Sequence, residues 1–243
     1  ARHPGRGSRR RGPAEPPGEV AADPAGNLAA TLRGQPDRAL LLGGHMDSVP
    51  NGGWLDGCLN VMGALEVLRH IATQGKPPVT VRLVDWADEE GARFGKSLFG
   101  SSACSGNLDM EEARGLKDRA GVTLPDALRE QGIDFTRVKE SGRRLTNAAA
   151  YLELHVEQGP VLLDLELPLG AVLGTFGVER HAITFHGQAA HSGSTPMNRR
   201  KDAFLAASKM SPEIYGIPDR HSGACTIGSC LTRVTAAAGQ LVD

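Results

Sequence analysis

The sequence predicts an α/β fold that is followed by a shorter α+β segment. Three short apolar stretches have the pattern of strands, a helical pattern separates the first two, and the rhythm changes after Gly170. Strands that alternate with helices are typical of a layered fold with helices packed on a sheet. The chain has 243 residues, 40% of them hydrophobic, which suffices for one large domain or one and a half small ones.

Each element of the α/β part has its own sequence signal. "RALLLGG" (38–44) is a short apolar run that ends in glycine, as buried parallel strands do. "LNVMGALEVLRHIATQG" (59–75) has apolar residues at helical spacing and stops at a glycine. The β-branched, alternating run 79–87 and the run 148–156 predict two more strands. Residues 105–132, punctuated by Gly and Pro, predict short helices.

The α+β part follows Gly170. Residues 171–188 have the pattern of two strands, 199–210 that of a helix, and 223–235 that of another strand. The last of these segments runs close to Asp243, so the pattern predicts an α+β unit that is not completed within the chain.

The first twenty residues differ from the rest in composition. They contain five Arg, four Gly and four Pro, and almost nothing apolar. Such a segment cannot bury enough surface to offset chain entropy, so we expect residues 1–20 to be a disordered tail or sequence foreign to the fold. A basic arm for nucleic acid is the alternative.

Charge and cysteine content narrow the class of protein. The formal net charge is −1, which argues against a general nucleic-acid binder. The sequence shows neither an apolar run long enough for a transmembrane helix nor the apolar core of a signal peptide. The four cysteines lack metal-type spacing, which predicts reduced thiols in a cytoplasmic protein without a membrane partner.

Metal-type ligands follow the three predicted strands. His45 ends the first, with Asp47 just beyond it and Asp56 in the following Gly-rich loop. The second strand leads into a run of acids and the third carries "ELHVEQG"; together these segments contribute Asp88, Glu89, Glu90, Glu153, His155 and Glu157. Sites in open α/β sheets form beyond the carboxyl ends of strands, and imidazoles with carboxylates suit Zn²⁺, Mn²⁺ or Co²⁺. Taken singly, each group also fits a solvated loop or a turn.

Four blocks of sequence resemble one group of amidohydrolases. They are "GGHMDSVPNGGWLDGCLNVMGALEVL", "WADEEGARFGKSLFGSSACSG", "YLELHVEQGPVL" and "GQAAHSGSTPMNRRKDA", and they cover roughly residues 27–210 in the right order. The group comprises the N-carbamoyl-L-amino acid hydrolases, the allantoate amidohydrolases and the yeast-type β-ureidopropionases. It stands with the aminoacylases and glutamate carboxypeptidases among the dinuclear zinc enzymes.

The resemblance implies a domain arrangement. It predicts a phosphorylase/hydrolase-like, three-layer α/β/α catalytic domain over residues 21–173. An inserted α+β lid, which serves for dimerisation, would occupy residues 174–243. Both domains would be truncated in this chain, and the partner would be a second copy bound through the lid.

The resemblance also implies roles for individual residues. Two divalent ions, Zn²⁺ or else Mn²⁺ or Co²⁺, would be held by His45, Asp56, Glu90 and His155, with Asp56 as the bridge. Asp47 would hold the imidazole of His45 from outside the ligand set, and Glu89 would be the general base and acid. Gln158 would contact the ureido group of the substrate, and His191 of the lid would stabilise the oxyanion, usually across a dimer.

Some positions depart from the family pattern. Asn60 stands where the family has Gly, Asp88 where it often has Asn, and Thr235 where many relatives have a substrate-binding Asn. The remaining metal-ligating His of the family and its carboxylate-binding Arg have no counterpart before Asp243. We therefore expect the 243-residue chain by itself to be inactive.

The implied reaction is metal-dependent hydrolysis of an N-carbamoyl-L-amino acid to the amino acid, CO₂ and NH₃. Allantoate and β-ureidopropionate are alternative substrates. A truncated, non-catalytic relative is the alternative from a different class, and a plain dipeptidase fits less well because of "ELHVEQGP".

Overall fold

A five-stranded mixed sheet organises the first part of the computed structural model, which describes residues 17–35, 38–175, 177–221 and 223–231. Its strands are β1 (Glu19–Ala22), β2 (Leu28–Leu32), β3 (Ala39–Gly44), β4 (Thr80–Asp85) and β5 (Ala148–Leu152). Their order across the sheet is β1-β2-β4-β3-β5. β3 is parallel to β4 and to β5, whereas β2 is antiparallel to β1 and to β4. The three parallel strands thus bring their carboxyl ends to one edge.

Helical segments accompany this sheet, and two of them pack on its opposite faces. They are α1 (Cys58–Thr73), α2 (Phe99–Ser105), α3 (Met110–Gly115), α4 (Leu124–Glu130), a 3₁₀ segment (Phe135–Leu145) and α5 (Val161–Asp164). Leu68 of α1 packs with Leu42 and Leu83 on one face. Leu145 of the 3₁₀ segment packs with Leu41 on the other face. The predicted α/β class is therefore confirmed.

The predicted elements of this part are present with shifted ends. The strand expected at 38–44 is β3, the helix expected at 59–75 is α1, and the strand expected at 79–87 is the shorter β4. The strand expected at 148–156 ends at Leu152, because its last partner on β3 is Leu42. Residues 153–156 therefore continue without a ladder partner, and a strand needs one to persist.

Two strands lie where none was predicted, and the expected tail is shorter at its carboxyl end. β1 and β2 form an antiparallel pair in which Glu19 faces Thr31 and Val20 faces Ala30. Glu19 and Val20 thus belong to the sheet and not to a tail over residues 1–20. Residues 1–16 of that predicted tail lie outside the described residues.

The chain divides into two units, residues 1–170 and 171–243. The second contains a 3₁₀ turn (Met197–Arg199), α6 (Ala203–Tyr215) and α7 (Ile217–His221). The predicted helix at 199–210 therefore begins later and runs further than expected. Asp202 caps it, since its carboxylate accepts a hydrogen bond of 2.9 Å from the Leu205 amide.

The strands predicted in this second unit are not present in its described part. Residues 171–175 and 177–188 contain no strand, and Gln188 makes only an isolated bridge to Lys201. Residues 223–231 also lack a strand, while the rest of that prediction, with Thr235, lies outside the described residues. β-prone side chains give a strand only where a neighbouring strand supplies its hydrogen bonds.

None of the helices within the described ranges is long and apolar enough to cross a bilayer.

A buried asparagine ties the sheet to α2. The side chain of Asn27, which is fully buried, donates to Asp23 at 2.9 Å and to the Gly100 carbonyl at 3.1 Å. It also accepts a hydrogen bond of 2.9 Å from the Ala87 amide, just beyond β4. Cys104 donates to Asp23 at 3.4 Å, and burial raises the pKa of its thiol to about 12. This hydrogen-bond network joins the β1–β2 turn, the residues after β4 and α2.

We predict that Asn27→Ala lowers the free energy of unfolding by about 3 kcal/mol, because it removes a fully buried side chain whose hydrogen bonds join Asp23, the Ala87 amide and the Gly100 carbonyl. Urea denaturation followed by circular dichroism measures the change. Asn107→Ala is the matched control, since that exposed side chain only donates to Ser105. Equal stability of the two variants would contradict the role given to this hydrogen-bond network.

Candidate metal centre

The residues predicted as metal ligands in the first unit gather at the carboxyl edge of the parallel strands. His45 follows β3 directly, and its side chain is only 4% exposed. Asp56 lies in the Gly-rich loop just before α1, Glu89 and Glu90 follow β4, and His155 follows β5. Because parallel strands end at the same edge, segments that are distant in sequence meet there.

In both histidines, Nδ1 contacts a backbone carbonyl and Nε2 faces the centre. Nδ1 of His45 lies 2.9 Å from the Asp47 carbonyl, and Nδ1 of His155 lies 2.6 Å from the Val156 carbonyl. A carbonyl can only accept, so Nδ1 carries the proton in the neutral form of both rings. Both Nε2 atoms are therefore left with a lone pair that can bind a metal.

These two lone pairs face the same carboxylate oxygen. Nε2 of His155 is 3.1 Å and Nε2 of His45 is 3.7 Å from Oδ1 of Asp56. Oδ1 is buried, and no hydrogen bond reaches it from the described residues. The other oxygen, Oδ2, accepts a hydrogen bond from Gln158. The two nitrogen lone pairs and the buried carboxylate oxygen repel one another. The arrangement therefore requires a positive charge between the imidazoles and Asp56.

Burial and charge compete at His45. Burial by itself lowers the pKa of the imidazole, but the Asp47 carbonyl and three nearby carboxylates outweigh it, so the pKa is raised. An imidazole held beside several carboxylates favours a cation, either a proton or a metal ion. The residues present therefore fit a divalent ion.

A second group of ligand atoms includes the same histidine. Ligand atoms of His45, Glu89 and Glu90 all lie within 4.8 Å of one another. Oε2 of Glu89 is 3.6 Å from Nε2 of His45. Burial raises the pKa of Glu89; His45 opposes that effect, and the neighbouring carboxylates of Glu90, Asp47 and Asp56 add to it. A carboxylate with a raised pKa is a stronger base than an exposed one, which suits it to accept a proton.

Asp47 contacts His45 with its backbone and the loop after β4 with its side chain. Its backbone carbonyl, and not its carboxylate, makes the close contact with His45, since Oδ1 is 3.5 Å from the imidazole Nδ1. The carboxylate accepts hydrogen bonds from the amides of Glu89 at 3.2 Å and Glu90 at 3.0 Å. Asp47 therefore ties the loop after β3 to the loop after β4 and positions both glutamates.

The other acids near the strand ends have different partners. Glu157 accepts hydrogen bonds of 2.8 Å from the amides of Val161 and Leu162, so it caps α5. The pKa of Asp88 is raised to about 6, mainly by burial and by the charge of Asp47, which Arg93 opposes. Neither group is among the atoms gathered around His45.

Asn60, which replaces a family glycine, belongs to a hydrogen-bonded chain beside the centre. Its side chain is 1% exposed and donates to Glu153 at 2.6 Å. Glu153 also accepts from the hydroxyl of Tyr151 at 2.7 Å, and Tyr151 accepts from the Trp86 indole at 3.1 Å. No sequence pattern pointed to this chain, because its members come from segments that are far apart along the backbone.

A cavity of about 610 Å³ lies beside this chain. His45 and Glu89 are part of its wall, together with Trp86, Tyr151 and Glu153. The candidate metal centre therefore opens onto a space in the size range of small-molecule sites.

His191 belongs to the second unit. Its Nδ1 accepts hydrogen bonds from the amides of Gly193 at 3.2 Å and Ser194 at 3.1 Å. In the neutral ring the proton is therefore on Nε2, which is left as a donor. Arg200 braces this loop by donating to the carbonyls of Ser192 at 2.7 Å and Thr195 at 3.1 Å.

Imidazoles and carboxylates at the carboxyl ends of the parallel strands define an α/β protein with a candidate metal centre. The family model "Peptidase family M20/M25/M40" matches residues 41–238, and the chain belongs to this family. The match includes every residue named at the centre.

Named relatives and solved structures place the similarity within a narrower group. The chain is 40% identical over 196 residues to the N-carbamoyl-L-amino acid amidohydrolase of Geobacillus stearothermophilus, covering 79% of this chain and 47% of the relative. It is 35% identical over 199 residues to the allantoate amidohydrolase of Bacillus subtilis, covering 81% and 48%. The chain thus spans about half the length of these curated relatives.

The similar solved structures include a hydantoinase/carbamoylase family amidase from Burkholderia ambifaria, with 34% identity and a TM-score of 0.59. Another is AtUAH in complex with (S)-hydroxyglycine, with 28% identity and a TM-score of 0.66. Each of these two comparisons covers 84% of this chain and 50% of the chain in the solved structure. The resemblance to carbamoylase-type amidases that the sequence motifs predict is therefore confirmed.

Gly57 gives a test of the geometry in which no predicted ligand is itself substituted. It has a φ of +80°, and a Cβ there would lie 2.5 Å from Nδ1 of His45 and 2.3 Å from its carbonyl oxygen. We predict that Gly57→Ala displaces the imidazole and weakens Zn²⁺ binding about 10-fold or more, the effect of losing a group that orients a ligand. Competition with a chromophoric chelator measures the affinity.

Gly75→Ala is the matched control for this prediction. Gly75 has a φ of +91°, but a Cβ at that position would have no atom within 4 Å. The control variant therefore has the backbone strain of Gly57→Ala without its contact with His45. If both variants bind Zn²⁺ as tightly as the unmodified chain, His45 is not a ligand in this geometry.

Proposed function

We propose that the protein is a metal-dependent hydrolase of C–N bonds in linear amides, other than peptide bonds, and that its substrate is an N-carbamoyl-L-amino acid. The observation that carries the proposal is the buried Asp56 carboxylate between two imidazole Nε2 atoms, next to the Glu89–Glu90 pair. The similarity to an N-carbamoyl-L-amino acid amidohydrolase supports the substrate class.

The metal would be held by His45, Asp56, Glu90 and His155. Asp56 is suited to bridge two ions, because both imidazoles approach its Oδ1 atom. Two bound divalent ions, Zn²⁺ or else Mn²⁺ or Co²⁺, would polarise the ureido carbonyl and lower the pKa of the attacking water. Asp47 would keep the two glutamates in place through their backbone amides.

Glu89 would move the protons of the reaction. Its carboxylate would take a proton from the attacking water and deliver it to the nitrogen that leaves. In total, R–NH–CO–NH₂ and one water would give R–NH₂, CO₂ and NH₃. The raised pKa of Glu89, caused mainly by its burial, supports this role, because it makes the carboxylate a stronger base than an exposed one.

Two further residues would contact the substrate. Gln158, whose amide reaches Asp56 in this structure, would turn toward the ureido group. His191 would donate from Nε2 to the oxyanion, as its Nδ1 already accepts from two backbone amides. Allantoate and β-ureidopropionate are kept as alternative substrates, and the similarity to an allantoate amidohydrolase supports the first.

The proposal extends to assembly and location. A homodimer formed through residues 174–243 follows from the lid resemblance, and analytical ultracentrifugation would test it. The four cysteines are free thiols, which supports a reducing compartment such as the cytoplasm.

The chemistry is tested on the 243-residue chain alone and on the same chain joined to the part of the Geobacillus stearothermophilus relative that the match does not cover. We expect the joined protein, loaded with Zn²⁺, Mn²⁺ or Co²⁺, to release ammonia from N-carbamoyl-L-amino acids faster than from allantoate or β-ureidopropionate. Chelator should abolish the release. Glu89→Gln should keep the metal and lower turnover about 100-fold or more.

Glu66→Gln is the control, since that side chain lies on α1 and is 75% exposed. Near-normal turnover by Glu89→Gln would remove Glu89 from the mechanism. No metal uptake, or turnover indifferent to chelator, would defeat the proposed function.

A further inference from the structure

The segment that carries His155 lies at the surface of the first unit. Residues 151–155 are exposed, and among the described residues β5 has no ladder partner after Leu152. The side chain of His155 is 41% exposed, whereas that of His45 is 4% exposed. Exposed backbone without ladder hydrogen bonds opens at a low free-energy cost, so a metal ligand on it needs other contacts to keep its position.

Asn60 of α1 makes such a contact from the interior. Its side chain is 1% exposed, and its Nδ2 donates at 2.6 Å to Oε1 of Glu153, two residues before His155. A hydrogen bond to a carboxylate is about twice as strong as one between neutral groups. Gly63 faces the same segment, since a Cβ there would lie 3.3 Å from Cδ2 of Leu154. Residues three apart share a helix face, so one face of α1 supports the segment.

Asn60 also packs against the strand that leads to the other imidazole. A Cβ at Gly44, the last residue of β3, would lie 2.5 Å from Cβ of Asn60 and 2.8 Å from its Nδ2. The glycine therefore leaves the space that the amide occupies, directly before His45. Asn60 thus lies between the backbone that carries His45 and the backbone that carries His155.

The amide of Asn60 has a partner on only one side. Its Oδ1 is buried, and no described residue donates a hydrogen bond to it. A buried polar atom without a partner costs stability, so an apolar side chain of similar size would serve packing better at this position. What the amide adds is the hydrogen bond from Nδ2 to Glu153.

We propose that Asn60 is a positioning residue for His155: through Glu153 it fixes the separation of the two imidazoles. The other oxygen of Glu153 accepts from Tyr151 at 2.7 Å, so the carboxylate is held from both sides. Nε2 of His155 lies 3.1 Å from Oδ1 of Asp56, and this distance would grow if the segment moved away from α1. The inference rests on the metal centre of the proposed function, and a measurement on the metal-free chain tests it separately.

Backbone ¹⁵N relaxation of the metal-free 243-residue chain is the first measurement. We expect the order parameter of the His155 amide to fall from about 0.85 to below about 0.6 in Asn60→Ala. Val61→Ala is the matched control, because this neighbouring residue of α1 is 6% exposed and packs in the core, so its truncation lowers stability without touching the segment. An unchanged order parameter in Asn60→Ala, or an equal fall in Val61→Ala, would overturn the proposal.

Zn²⁺ affinity, from competition with a chromophoric chelator, is the second measurement. Asn60→Ala should weaken binding about 10-fold or more, the effect of losing a group that orients a ligand, and Val61→Ala should not. Glu153→Ala breaks the same contact from the exposed side, and it replaces Asn60→Ala in both measurements should that variant not fold. The two changes together should cost no more affinity than either alone, as for residues that act as a pair.

The outcomes separate this inference from the proposed function. If the unmodified chain binds Zn²⁺ and both Asn60→Ala and Glu153→Ala bind it as tightly, the positioning role is wrong and the metal centre stands. No Zn²⁺ uptake by the unmodified chain would defeat the proposed function instead, and the order parameter still decides whether Asn60 holds His155.

Discussion

The candidate centre depends on one electrostatic constraint, the buried oxygen of Asp56 that faces two imidazole lone pairs. Nothing in the described part of the chain donates a hydrogen bond to that oxygen. The Nδ1 contacts of His45 and His155 with backbone carbonyls fix the tautomers that create the constraint. A cation relieves it, and membership of the M20/M25/M40 family is consistent with a divalent metal in that place.

The same contacts that hold the centre also hold the fold. Asp47 joins the loops after β3 and β4 by accepting from the amides of Glu89 and Glu90. Two residues earlier, the amide of Ala87 is bound by Asn27, which connects that segment to α2. The exit of β4 is therefore fixed from both sides, so that the carboxylates that follow it have little freedom. Preorganisation of this kind lowers the cost of binding a ligand.

The sequence predicts what depends on local pattern and on parallel topology. Apolar runs give β3 and β4, helical spacing gives α1, and the shared edge of parallel strands brings His45, Glu89 and Glu90 together. Contacts chosen by the tertiary structure escape prediction. The carboxylate of Asp47 accepts from the amides of Glu89 and Glu90, which no sequence pattern indicated, and the β-prone stretch 171–188 has no ladder partner among its described residues.

Imidazole ¹⁵N NMR of the 243-residue chain during a Zn²⁺ titration tests the central claim most directly. We expect the Nε2 resonances of His45 and His155 both to shift, while both Nδ1 atoms stay protonated. His45→Gln and His155→Gln each remove one set of resonances and so identify the two rings among the eight histidines. Zn²⁺ that leaves both Nε2 resonances unchanged, or that binds through Nδ1, would contradict a metal held between these imidazoles and Asp56.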